Sequence, residues 1–451
     1  MNHKPLEPPQ SIIKFANIIF SLGILFCLLI TAYATYRIFN PIYVPNLGDG
    51  GIKTFYIFSM ISGCVFASLF GLGLKKLSNN LKVNLSILIF TIGVSIYGFE
   101  TYLELSHKDT KTRMDALEDL KVSGVEGFPN VFPYNLIESN GLVSDKGRIY
   151  PLGTISNSKT ILSNEAGFYP IIETDEHGFN NPKGLYVKNK VDILLTGDSY
   201  TEGFSVHSNE TIGAVLRQLD YNTISVGKSG NGPLLELAAL KEYGEPLKPK
   251  IVLWLYYIND LSGLKNEMKS SILNKYLDED NYSQNLISKQ KEIDSVLKNY
   301  IKVEWVKKNK KENLANNPVV KIVKLYNLRM RINVKPTSEP IVLPTPVFKD
   351  VLLKAMKTVS SWNGQMYFVY LPDWNRYSSG IKHPNRDFVI QTVKELNIPI
   401  IDIHREVFEP HQDPLSLFPF REYNHYNADG YKLVSEAIGK RLITDGYISI
   451  K

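Results

Sequence analysis

Hydrophobic positions follow two different patterns along this chain. In the first hundred or so residues they form unbroken runs. Residues 15–36 carry no charge over 22 positions, 54–74 none over 21, and 83–103 none until Glu100. A helix rises about 1.5 Å per residue, so runs of this length match the ~30 Å hydrocarbon slab of a bilayer. None has the polar stripe that a helix in a water-facing bundle would show. The pattern predicts three transmembrane helices at about 15–36, 54–74 and 83–103, with residues 1–105 forming a membrane anchor. Ala32-Tyr33-Ala34 has the look of a signal cleavage site. The first run is longer than a signal core and two more follow it, so an uncleaved anchor is expected.

Beyond the anchor the pattern is that of a folded domain. Residues 106–190 mix short β-like runs (GRIYPLG, GFYPIIET) with turn clusters such as DEHG at 175–178, and are expected to form an irregular β-containing lead-in. From 191 onward strand and helix alternate. Strands are predicted at 191–195, 221–226, 251–257, 366–371 and 399–402. Helices are predicted at 211–219, 234–243, 349–361, 386–396 and 429–442. This alternation predicts a parallel sheet covered by helices on both faces, with reactive groups gathered beyond the carboxyl ends of its strands. A polar, helical segment at about 265–344 interrupts the rhythm. Between Lys302 and Lys335 it holds ten Lys/Arg against two Glu. It reads as a solvated helical insertion within a domain spanning 191–451, or more sharply as a lid or a surface for anionic lipid headgroups or an acidic glycan.

Charge placement gives an orientation. Lys4 and Lys14 precede the first run, and Lys75, Lys76 and Lys82 lie around the tight turn between the second and third. The other loop carries Arg37 and Lys53, offset by Asp49. The positive-inside rule then puts the N-terminus in the cytoplasm and delivers everything after the third run to the extracytoplasmic side. Lys108, Lys111 and Arg113 oppose this only mildly, because a domain of this size translocates largely regardless of such charges. The expected location is a bacterial inner or plasma membrane. The two cysteines, Cys27 and Cys64, both lie in apolar runs, so the rest of the chain has no disulfide and no thiolate metal site, and its nucleophile is not a cysteine. The net charge of +6 is modest, and no basic-aromatic motif of a nucleic-acid binder is present.

Four short segments carry candidate chemistry. LLTGDSYTEG at 194–203 runs a buried strand into Gly197-Asp198-Ser199 and then into a helix, presenting the Ser199 hydroxyl beside helix N-terminal amides. SVGKSGNG at 225–232 is a glycine-rich turn able to present a backbone N–H. YIND at 257–260 sets the Asn259 carboxamide at a strand end. EYNHYNADGY at 422–431 places His425 just ahead of the last helix. In this order, on these elements, the four resemble the Ser, Gly, Asn and His blocks of the SGNH/GDSL hydrolases. YLPD at 370–373 and TDEHGF at 174–179 also look like segments of bacterial members. The resemblance covers 190–260 and 365–442.

The resemblance implies a three-layer α/β/α SGNH sandwich behind the anchor, and serine acyl-transfer chemistry with no metal and no organic cofactor. Ser199 would be the nucleophile and His425 its base. The Ser199 N–H, the Gly230 N–H and the Asn259 side chain would form the oxyanion hole. Family members carry an acid three residues before the histidine, which points to Glu422. Asp413 in QDPLSLF is the alternative acid. The Pro that often follows the histidine is Tyr426 here, and the Gly before the Asn-Asp pair is Ile258. The other histidines, including His177, His207, His383, His404 and His411, read as structural. The expected function is an ester hydrolase acting on an acylated envelope glycan or a lipid-linked saccharide. The alternative is an O-acyltransferase dependent on a separate multi-span acyl exporter, and a further alternative is a non-catalytic glycan-binding or assembly module.

Overall fold

The computed structural model describes residues 7–39, 48–106, 113–305, 307, 317–331, 346–380 and 382–447. Lys4, Lys108 and Lys111, and much of the basic half of the insertion (308–316 and 332–345), lie outside the described residues. The chain divides into two compact units. One comprises Met1–Asp109 with Asn309–Pro340, the other Thr110–Lys308 with Ile341–Lys451.

The first unit is built on three long helices, α1 (Gln10–Phe39), α2 (Gly48–Lys76) and α3 (Asn79–Ser106). All three are long and apolar enough to cross a membrane. Small residues let α1 and α2 approach closely. A Cβ at Gly63 would lie 2.3 Å from Thr31 Oγ1, and one at Gly73 would lie 2.5 Å from the Phe20 ring. Leu22, Phe26, Leu29, Phe58, Phe66 and Leu88 face outward, more than half or nearly half exposed to whatever surrounds the helices.

Among the described residues the second unit carries ten strands: β1 (Gly127–Pro129), β2 (Leu142–Ser144), β3 (Gly147–Ile149), β4 (Lys159–Ile161), β5 (Ile171–Glu173), β6 (Ile193–Thr196), β7 (Thr223–Ser225), β8 (Ile251–Tyr256), β9 (Gln365–Tyr370) and β10 (Ile400–Asp402). The last five form one all-parallel sheet in the order β10-β9-β8-β6-β7. Its central strands β6 and β8 are buried along their whole length, with covered faces on both sides, and all their residues but Thr196 are apolar or aromatic. Leu194, Val252, Trp254 and Phe368 point to one face and pack with the helices Pro233–Ala239, Pro346–Ser360 and Arg386–Glu395. Ile193, Leu195, Leu253 and Val369 point to the other and meet the helices Ile212–Gln218 and Ala428–Thr444. This is the three-layer α/β/α sandwich the alternation predicts. The strand order reverses between β6 and β8, so the switch point, where open α/β sheets bind ligands, lies beyond those two carboxyl ends.

The lead-in is a layer of its own, with a three-stranded sheet β1-β4-β5 and the hairpin β2-β3. It is fixed to the large sheet by Asp175 and Asn181. Asp175 accepts from the backbone N–H of His177 (2.8 Å) and Phe179 (2.9 Å), from Asn181 Nδ2 (2.8 Å) and from the Tyr186 hydroxyl (2.9 Å). Asn181 in turn exchanges two hydrogen bonds with the backbone of Ser225 in β7. Gly178 closes this loop with φ +83°, and a Cβ there would strike Thr154 O at 2.0 Å. The insertion divides between the units: the helices Ser271–Asp278 and Gln290–Tyr300 belong to the second, while Pro318–Val323 and Tyr326–Arg331 belong to the first.

Asp175→Ala should therefore leave two buried backbone donors unpaired and cost on the order of 3 kcal/mol. A fall in the thermal unfolding midpoint of the full chain in detergent is the expected readout. An unchanged midpoint would show that the lead-in is held by something else.

Candidate active site

Strand β6 ends at Thr196 and the chain turns sharply at Gly197, where a Cβ would lie 2.1 Å from Thr201 Oγ1 and 2.8 Å from Leu255 O. Only glycine fits so close an approach. Asp198 caps the next helix (Ser199–Glu202), its carboxylate accepting from Tyr200 N at 2.9 Å. Ser199 is the first residue of that turn, at the switch point, with its side chain all but buried.

The segment ahead of the Ala428–Thr444 helix brings His425 to it. His425 Nε2 lies 2.7 Å from Ser199 Oγ. Two neighbours hold the segment: the Tyr426 hydroxyl donates to Pro372 O at 2.6 Å, and Ser205 Oγ donates to Tyr426 O at 2.9 Å. Tyr426 thus has its own anchoring role, which uses the strand-end segment 370–373. The imidazole is flanked by the rings of Tyr200 and Phe204, with centroids at 4.5 and 5.1 Å.

The other ring nitrogen does not meet the acid expected from sequence. His425 Nδ1 lies 2.7 Å from Glu165 Oε2, and the same oxygen accepts from the His425 backbone N–H at 3.1 Å. Glu165 sits in the loop between β4 and β5 of the lead-in. Glu422 is exposed. The two residues before it, Phe420 and Arg421, both take positive φ (53° and 59°), reversing the chain just ahead of the position expected to supply the acid. Asp413 is held by the Arg421 guanidinium, with Oδ1 at 2.9 Å, which keeps its carboxyl below the ordinary aspartate range. Neither expected acid partners the histidine. Nothing in the local sequence marks Glu165, since NEAG at 164–167 is an ordinary turn and its partner is 260 positions away. Of the other histidines, His207 stacks on Phe168 (4.6 Å) and His404 bonds the Tyr377 hydroxyl (2.9 Å).

The turns bearing Gly230 and Asn259 are stitched to the serine turn. Lys228 N donates to Gly197 O at 3.2 Å. Glu202, at the end of the serine helix, accepts from Ser229 N at 2.9 Å and from Asn130 Nδ2 at 2.8 Å, and forms an ion pair with Lys228 in which both side chains are fully buried. Lys228 is also bound by Asn130 Oδ1 at 2.6 Å. Gly230 takes φ +81° in this turn. The neighbouring Gly232 lies so close to Asn259's helix (Asp260–Glu267) that a Cβ would be 3.0 Å from Asp260 O, and Glu267 accepts from Gly232 N (2.6 Å) and Leu234 N (2.8 Å). Asn259 Oδ1 is buried and has no hydrogen-bond partner among the described residues.

Electrostatics favour proton transfer along this line. Burial by itself lowers the pKa of His425, but the facing Glu165 carboxylate, helped by Asp198 and Glu202, outweighs it and the net shift is upward. Burial pushes Glu165 up and His425 pulls it further down, leaving its carboxyl below the usual range. Burial carries Asp198 up to about 6, against the pull of His425. Ser199 Oγ has two acceptors in reach, and Asp198 Oδ2 at 3.3 Å is the more distant. A hydroxyl at 2.7 Å from an imidazole oriented by a carboxylate can be deprotonated as it attacks an acyl carbonyl. Among the described residues, no group of three or more His, Cys, Asp or Glu is arranged to hold a metal ion.

With a Ser turn after the first sheet strand, a Gly turn after the second, an Asn after the third and a His before the last helix, the unit is an α/β/α sandwich that carries the four segments at its strand ends and ahead of its last helix. No protein-family model matches the chain, and no curated protein matches it. Among solved structures it is similar to a G-D-S-L family lipolytic protein from Desulfitobacterium hafniense DCB-2, at 12% identity and TM-score 0.32, covering 55% of this chain and 98% of that one. It is also similar to the acetyl xylan esterase AlAXEase, at 9% identity and TM-score 0.32, over 56% of this chain and 100% of that one. A catalytic mutant of the acetylxylan esterase Axe2 from Geobacillus stearothermophilus gives 13% identity and TM-score 0.31 over 56% and 95%.

Replacing the carboxyl that faces Nδ1 separates the three candidate acids. Glu165→Gln should lower kcat for ester hydrolysis by a factor on the order of 10²–10⁴, while Glu422→Gln and Asp413→Asn leave it nearly unchanged. A large loss in either of the latter, with Glu165→Gln active, would reverse the assignment.

Proposed function

We propose that this protein is a membrane-anchored serine ester hydrolase that works through a Ser199 acyl-enzyme. The observation that supports this most directly is the line Ser199–His425–Glu165, with 2.7 Å at each step. Ser199 Oγ attacks the acyl carbonyl as His425 Nε2 takes its proton. The oxyanion is received by the Ser199 and Gly230 backbone N–H groups and the Asn259 carboxamide, donors worth ~3 kcal/mol of barrier each in comparable sites. Glu165 holds the imidazole in the Nδ1–H tautomer and stabilises the imidazolium. Collapse of the tetrahedral intermediate breaks the ester C–O bond, and His425 returns the proton to the departing alcohol. Water then repeats the sequence on the acyl-enzyme and frees the carboxylic acid and Ser199.

The three apolar helices and the basic flanks support a multi-pass anchor with the N-terminus in the cytoplasm and the α/β unit outside. An acyl ester on an envelope glycan or a lipid-linked saccharide is the substrate class that such a location offers. A transferase would use the same acyl-enzyme with a sugar hydroxyl in place of water. It would also need an activated acyl donor brought across the membrane by a further multi-span protein.

Full-length protein in detergent should hydrolyse p-nitrophenyl acetate with water as sole acceptor. A fluorophosphonate probe should label Ser199, and Ser199→Ala should lose both label and turnover. Labelling at another serine, or turnover in the variant, would overturn the nucleophile. Acylated sugar as the main product when glycan is added would convert the reading to a transferase.

A further inference from the structure

We propose that the 317–331 segment of the insertion is a membrane-surface element that lays its apolar face into a bilayer carrying anionic headgroups. The inference rests on reading α1–α3 as membrane spans. Two short helices, Pro318–Val323 and Tyr326–Arg331, pack against the last turns of α3 within the same compact unit. The contact is specific. Glu100 of α3, fully buried, accepts from the backbone N–H of Asn327 and of Leu328, both at 2.8 Å, and from Asn327 Nδ2 at 3.1 Å. Glu104, one turn on, accepts from Asn327 Nδ2 at 2.7 Å and lies 3.8 Å from Lys321 Nζ. The Tyr97 hydroxyl reaches Val323 O at 3.5 Å. A carboxylate buried at the end of an apolar helix is costly unless donors surround it. Here the docked segment supplies them.

Docking in this way leaves an apolar face uncovered. Val319 and Val323, one helical turn apart, are 66% and 64% exposed, and Tyr326 is 43% exposed. On α3, near the end to which the segment is docked, Phe99, Tyr102 and Leu105 are exposed as well. Tyrosines at a helix end and on the docked segment suit the interfacial level of a bilayer. The segment is also basic. Lys324 is exposed beside Val323, and the sequence of 317–331 carries Lys321, Lys324, Arg329 and Arg331 with no Asp or Glu. Apolar insertion together with a basic tract is the two-part signal by which peripheral segments hold an anionic surface.

The test uses the full chain with Cys27 and Cys64 replaced by Ser and a single environment-sensitive fluorophore on Val323→Cys, reconstituted into lipid vesicles. Vesicles of phosphatidylcholine, with and without phosphatidylglycerol, would carry brominated acyl chains as quenchers. The label at 323 should lose most of its emission to brominated lipid and be shielded from aqueous iodide. The loss should be greater with phosphatidylglycerol, and Lys324→Glu should reduce that difference. Val319→Cys provides a second reporter. Leu88→Cys on α3 reports the spans themselves, and Val143→Cys in the β2-β3 hairpin is the aqueous reference. Quenching at 88 but not at 319 or 323 would overturn this proposal and leave the spans standing, whereas no quenching at 88 would remove the spans. Equal quenching at 323 in both lipids would overturn the preference for anionic headgroups.

Discussion

An imidazole can take a proton from a hydroxyl at neutral pH only if its second nitrogen keeps its own proton and the ring is held in place. The contacts around His425 meet this condition. Glu165 faces Nδ1 and also binds the residue's backbone N–H, fixing tautomer and position with one carboxylate oxygen. Tyr426, anchored to Pro372 and Ser205, prevents the segment from withdrawing. The lead-in layer therefore supplies a group that the five-stranded sheet does not. Its attachment through Asp175 and Asn181 to β7 is part of what keeps Glu165 in register with Ser199.

The second requirement is that the amide donors stand still while charge develops. The serine, glycine and asparagine turns are held together by glycine approaches too close for any side chain and by two buried carboxylates, Glu202 and Glu267. The Glu202–Lys228 pair has no exposed atoms to be solvated, so each charge depends on the other and on Asn130 and Ser229. Such pairs add little net stability over apolar substitutes, yet breaking one costs about 3–5 kcal/mol because it strands a buried charge. In this molecule the pair lies beside the candidate oxyanion donors, where definition of geometry matters more than net stability.

The sheet was legible because β6, β8 and β9 are buried on both faces and read as continuous apolar runs, and because Gly197 and Gly230 lie at turns that their sequence context makes evident. The placement of Ser199 and His425, which lie 2.7 Å apart, was legible for the same reason, each bordering a regular element. The acid was not. A carboxylate needs only to reach one nitrogen, and any loop the fold brings near can provide it. Family spacing pointed to Glu422, but the left-handed pair Phe420 and Arg421 redirects the chain there, and the β4–β5 loop occupies the position instead. The division of the insertion was likewise hidden, since the helical periodicity of 265–344 gives no sign that Glu100 on α3 would bind the backbone of Asn327 and Leu328.

The Glu165 carboxylate raises the pKa of the imidazole that lies beside Ser199. The rate of fluorophosphonate labelling at Ser199, measured against pH, reads that pKa directly. In the wild-type protein labelling requires neutral His425, so the rate should fall as pH drops through a pKa above the ordinary histidine value near ~6.5. In Glu165→Gln the same fall should occur at lower pH, with a smaller plateau rate. An acid limb at the same pH in both proteins would contradict the account.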